Sequence, residues 1–175
     1  CCIQHQASRM RQPFSRVQIA TAIAILFHAV GLFGIFYLPR TSFLQTTPLN
    51  LLLMFGLLLY TQPRINRWYW IFFGLCFATG MIVEWVGVHT GYLFGHYQYG
   101  AALGPAIDGI PWMIGVNWFI VVLCCGSFMQ YLIEKITLVS SQAMQRRRPA
   151  IKALSIMVDG ATLAVAFDWL MEPVA

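Results

Sequence analysis

Glu84-Trp85-Val86-Gly87-Val88-His89-Thr90-Gly91-Tyr92-Leu93-Phe94-Gly95-His96-Tyr97-Gln98-Tyr99-Gly100 is the stretch on which the reading of this chain turns. It holds one carboxylate, two of the four histidines, three tyrosines and four glycines. A long apolar segment leads into it, so it begins as the end of a membrane-spanning helix. Its glycines then interrupt any continuing helix. Glu84 therefore sits inside or at the edge of a membrane, where an ionisable side chain is costly and points by default to function.

Composition supports the membrane. The chain of 175 residues is 59% hydrophobic and 10% charged, with a mean hydropathy of +0.68. Ordinary soluble domains are roughly 25% charged. The length accommodates about five spans of ~20 residues with short connections. The net charge of +5 comes from basic residues that flank apolar segments, so it reports membrane topology and not nucleic acid. Cys1, Cys2, Cys76, Cys124 and Cys125 show neither metal-ligand spacing nor a disulfide framework.

Taken in order, residues 1–16 read as a basic cytoplasmic tail, and 17–175 as one transmembrane domain. The predicted spans are 17–38, 48–61, 68–88, 111–133 and 150–171, an all-α polytopic bundle. The apolar core of the second span is short. Trp68-Tyr69-Trp70 forms an interfacial belt at the start of the third. Pro111 suits the first turn of the fourth. Residues 89–110, too apolar for a wet loop, read as an embedded connection. Irregular backbone is tolerated at that depth only under cover of protein or beside a cavity.

With the N-terminus cytoplasmic, ten of the eleven basic residues fall inside and only Arg40 falls outside. That is the distribution the positive-inside rule favours. The same layout, that of a bacterial inner-membrane protein, brings Glu84, His89, His96, Asp108, Asp168 and Glu172 to one half of the bilayer.

These groups are the candidates for chemistry. Burial of Glu84 would keep it protonated, as an acid catalyst requires. Asp168 and Glu172 lie four residues apart and share a helix face. Asp108-Gly109 reads either as a turn or as a member of the same site. Tyr92, Tyr97 and Tyr99 with Trp85 and Trp112 form either an interfacial belt or the lining of an apolar groove able to stabilise a cation. His28 reads as a packing residue. Four histidines in all are too few for a membrane di-iron centre, so no metal is expected. No phosphate loop or dinucleotide fingerprint is present, so no cofactor is expected.

The run Glu84 to Tyr99, followed by Gly104-Pro105, Ile110-Pro111 and Asn117-Trp118, resembles the carotenoid biosynthesis membrane proteins of the carotenoid 1′,2′-hydratase family. Asp168-Trp169-Leu170-Met171-Glu172-Pro173 resembles a later signature of that family. The resemblance covers roughly 68–175 and implies further spans beyond Ala175. It implies hydration of the terminal double bond of an acyclic ψ end group, as in γ-carotene or lycopene, without a cofactor. Partners would be the lipophilic carotenoid, the bilayer and other enzymes of carotenoid biosynthesis.

Hydration of such an alkene needs a proton donor, a base that holds water, and an apolar groove. Glu84 or Asp168 would be the acid, with His89, His96 or Glu172 positioning water. Trp85, Tyr92, Tyr97, Tyr99, Asp108, Trp112 and Trp118 would line the substrate. Two other readings share the sequence features. A small transporter subunit would also carry carboxylates near broken helices, but it predicts an inverted repeat that is not evident. A non-catalytic carotenoid-binding scaffold would bind pigment and leave it unchanged.

Overall fold

The structure is a computed structural model that describes residues 15–37, 45–92, 95–139 and 149–171. Among the described residues are five helices: α1 (Arg16–Tyr37), α2 (Thr47–Thr61), α3 (Arg67–Thr90), α4 (Met113–Val139) and α5 (Pro149–Met171). A 3₁₀ turn at Ala101–Leu103 and two short strands, β1 (Ala106–Ile107) and β2 (Ile110–Pro111), lie between α3 and α4. The fold is all-α, as the sequence predicts.

Four helices contain segments long and apolar enough to cross a membrane: Arg16–Gly34, Arg67–Thr90, Met113–Lys135 and Ala150–Phe167. The chain is an integral membrane protein. The predicted span 48–61 corresponds to α2, a short apolar helix. Its 15 residues extend ~22 Å at about 1.5 Å per residue, short of a hydrocarbon core of about 30 Å.

The chain divides into two compact units, Cys1–Ile65 and Asn66–Ala175. In the first, α1 packs against α2. A reciprocal cap starts α1: Gln18 N–H donates to Ser15 Oγ at 3.2 Å, and Ser15 N–H to Gln18 Oε1 at 2.9 Å. This satisfies two amide groups that a helix start leaves without partners. The Arg16 guanidinium lies over the Tyr60 ring. His28 Nδ1 is 2.8 Å from the Ala24 carbonyl one turn back, so that nitrogen is satisfied within its own helix.

In the second unit α4 packs against both α3 and α5. Asn66 caps α3 by accepting from the Tyr69 amide at 3.0 Å. Phe119 is fully buried and meets Tyr69, Phe72 and Phe73 at steep interplanar angles, with centroids 5.6, 5.8 and 5.0 Å away. These edge contacts suit the aromatic quadrupole. Between α4 and α5 the backbones nearly touch. A Cβ placed on Gly160 would lie 3.3 Å from Gly126 Cα, the close approach that small residues permit between membrane helices. At the end of this contact Lys152 Nζ and Gln130 Nε2 both donate to Glu134 Oε1, at 3.3 and 3.2 Å.

In the connection after α3 the described turns have local causes. Gly91 adopts φ 67° and donates to the Gly87 carbonyl at 2.9 Å, which ends α3. Asp108 (φ 50°) and Gly109 (φ 81°) are both left-handed. They form the two-residue primed turn for which Asp-Gly is suited. Ile107 pairs with Ile110 and Ala106 with Pro111.

Pro111 therefore closes a strand and does not open the helix, which begins at Met113. Proline fits there because, in a hairpin with a two-residue turn, the pair outside the turn-flanking pair exchanges no hydrogen bonds. Ile110 and Pro111 are buried, and β2 rests on α3.

Candidate functional site

Residues 80, 84 and 87 are the buried positions of α3. Their spacing of four and three places them on one helical face. Glycine at 80 leaves room for Trp118 of α4. A Cβ at 80 would fall 2.5 Å from Trp118 Cγ, so the indole rests directly on the α3 backbone.

From that seat Trp118 Nε1 donates to Glu84 Oε1 at 3.1 Å. The Tyr97 and Tyr99 hydroxyls both donate to Oε2 at 2.6 Å. Glu84 is 6% exposed. Among the described residues no cationic side chain forms an ion pair with it. Three donors take the place of a counter-ion, as a buried polar group requires.

Tyr97 and Tyr99, two residues apart in the connection, reach the same oxygen, and their rings meet edge to face with centroids 5.5 Å apart. Burial, and next the hydrogen bond to Glu84, push the Tyr99 phenol far above its ordinary pKa. It remains a donor over the whole working range. The cluster thus fastens the connection to α3, and α3 to α4, through one carboxylate.

A second polar cluster lies at the hairpin tip. Trp85 Nε1 donates to Asp108 Oδ2 at 2.6 Å. His89 Nε2 lies 3.5 Å from that same oxygen. His89 Nδ1 is 2.9 Å from the Trp85 carbonyl, and the two rings stack with centroids 4.6 Å apart. A carbonyl can only accept, so Nδ1 carries a hydrogen and Nε2 is the nitrogen that faces Asp108. Both side chains of this pair are accessible, His89 at 38% and Asp108 at 64%.

An open groove of about 370 Å³ runs beside this second cluster. Met81, Ile82 and Trp85 of α3 form one wall, and Ile107, Asp108 and Ile110 of the hairpin form the other. The lining is apolar except for the Asp108 carboxylate and the Trp85 indole nitrogen. Met81, Ile82, Ile107 and Ile110 were not singled out by the sequence. Two signals were available: positions 81 and 85 are one turn apart on α3, and the two isoleucines flank an Asp-Gly turn.

Of the candidate residues, the structure therefore gathers Glu84, Tyr97, Tyr99 and Trp118 in one cluster, and Trp85, His89 and Asp108 in another. The His96 ring packs where a Cβ on Gly91 would stand, 2.6 Å from its Cε1. Trp112 is half-buried and donates its backbone N–H to the Pro105 carbonyl at 3.3 Å. Tyr92 is 91% exposed and belongs to neither cluster. Asp168 lies in the last turn of α5, and its side chain falls outside the described residues, as does the whole of Glu172. Among the described residues no three of His, Cys, Asp and Glu come together as metal ligands would.

A family model described as "Carotenoid biosynthesis protein" matches residues 46–175, which takes in α2 to α5 and the connection. No curated protein and no solved structure matches the chain.

Proposed function

Since the chain belongs to the carotenoid biosynthesis protein family, we propose that it is a cofactor-independent hydratase that adds water to the terminal double bond of an acyclic carotenoid end group. One observation carries this reading: a carboxylate stands in the wall of an otherwise apolar groove on a membrane protein.

The reaction asks for those two features together. An isoprenoid terminus has no polar handle, so it is held by apolar surface and shape. Protonation of its trisubstituted double bond gives a tertiary cation, which water captures to form a tertiary alcohol. The groove's volume is at the low end of small-molecule sites, which are about 300–1,000 Å³. It fits one end of a long polyene, with the remainder lying along the exposed apolar face of α3 toward lipid. The Trp85 ring lines the groove and offers a π face to the developing cation. The candidates for acid and base are Glu84, His89, His96 and Asp108 at this end of α3 and its connection, and Asp168 and Glu172 near the chain's end.

The test is co-expression of the full protein with a pathway that makes lycopene or γ-carotene, followed by mass analysis of the pigments. A product heavier by one water supports the reading. Unchanged pigment that co-purifies with the protein overturns it in favour of a binding scaffold.

A further inference from the structure

We propose that, within the hydration reading above, Asp108 and His89 form the acid–base pair of the groove, and that Glu84 instead fastens the connection to α3 and α4. The two carboxylates differ in what they face. Glu84 is turned toward α4, and both its oxygens accept from donors, Trp118 on one and two tyrosines on the other. Nothing of Glu84 lines the groove. Among the described residues Asp108 is the one ionisable residue in the lining. Its Oδ2 is held by Trp85 and faces His89, while its Oδ1 makes no hydrogen bond among the described residues. Oδ1 is the oxygen left for a substrate.

The pair is held in place rather than free to wander. The left-handed turn fixes the Asp108 backbone, the Trp85 indole fixes its carboxyl, and the Trp85 carbonyl fixes the His89 ring. Such pre-orientation is what a proton-transfer group needs, since reach comes before proton affinity.

The Asp108 carboxyl gives its proton to the less substituted alkene carbon, whose π pair becomes the new C–H bond. The other carbon becomes the tertiary cation. A water oxygen forms the C–O bond, and its extra proton passes to His89 Nε2 and from there to Asp108 Oδ2, the oxygen that ring faces; exchange of the carboxyl proton through solvent restores it to Oδ1. One water is consumed, no electron changes hands, and the pair returns to its starting state.

The experiment uses the full chain in native membranes with a lycopene-type polyene, comparing wild type with Asp108→Asn and Asp108→Glu. Asn-Gly forms the same primed turn as Asp-Gly, and the asparagine carbonyl can still accept from Trp85. The fold and the groove are therefore kept while the proton is lost. Asp108→Asn is expected to lower kcat by about 100-fold or more, the usual scale of general acid catalysis, with KM little changed. Asp108→Glu is expected to restore part of the loss, which a purely structural role would not predict.

Wild-type turnover retained in Asp108→Asn overturns the assignment and leaves the hydration reading intact. A change confined to KM overturns it too, and makes Asp108 a binding residue. No hydration by wild type removes both.

Discussion

The Trp118 indole of α4 lies on Gly80 of α3 and donates to Glu84 one turn further along the same helix. The contact and the hydrogen bond depend on each other. The glycine sets the depth of the indole, and that depth lets its N–H reach the carboxylate. Helix packing in a membrane has little hydrophobic drive behind it, so close packing and buried hydrogen bonds carry more of the association.

Gly80→Val is expected to push Trp118 off its seat and away from Glu84. Overpacking of this kind costs about 1–3 kcal/mol. Thermal unfolding in detergent should show the loss, together with a shift in tryptophan emission. A variant with wild-type stability and emission would mean that the indole does not rest on position 80.

Glu84→Gln replaces an all-acceptor group with one that also donates. It cannot satisfy three facing donors without some rearrangement, and a mismatched buried polar group costs about 1–3 kcal/mol. The expected outcome is a less stable protein whose connection is cut faster by protease. Unchanged stability and protection would remove the clamp role.

Tyr99 gives a pH dependence whose sign follows from its environment. The folded protein raises this phenol above its ordinary value of 10.0. Below that value both the folded and unfolded forms hold the proton, and the contribution is fully present. As pH rises past about 10 the unfolded chain releases the proton while the folded one keeps it, so stability falls. Tyr99→Phe should lose part of this alkaline decline. An identical decline in wild type and variant would contradict the placement.

Trp85→Phe keeps a ring against His89 and removes the N–H that holds Asp108. The loss of one hydrogen bond of about 0.5–1.5 kcal/mol should lower turnover roughly two- to tenfold. An unaffected rate would show that the indole nitrogen plays no part in orienting the carboxylate.

Much of this architecture is legible in the sequence because it is written locally. Apolar runs of spanning length, the helix start at Trp68-Tyr69-Trp70, the glycines after Thr90 and the Asp108-Gly109 turn each declare themselves within a few residues. What was not legible depends on distant pairings. Tyr97 and Tyr99 read as groove aromatics, yet their hydroxyls point at Glu84, a choice made by the path of the connection. Trp118 read as substrate lining, yet its ring is taken up by Gly80 and Glu84. Pro111 read as a helix start because the sequence does not reveal that Ala106 pairs with it. The groove itself is assembled from one helix face and one hairpin, and neither alone suggests a cavity.

In the proposed reaction water, and not dioxygen, is the source of the new hydroxyl. The direct measurement supplies the full protein in membranes with a lycopene-type polyene in water labelled with heavy oxygen, and reads the product by mass. Heavy oxygen in the tertiary alcohol, at the enrichment of the solvent and with or without dioxygen present, is the predicted result. A hydroxyl that carries unlabelled oxygen, or that forms only when dioxygen is supplied, would contradict it.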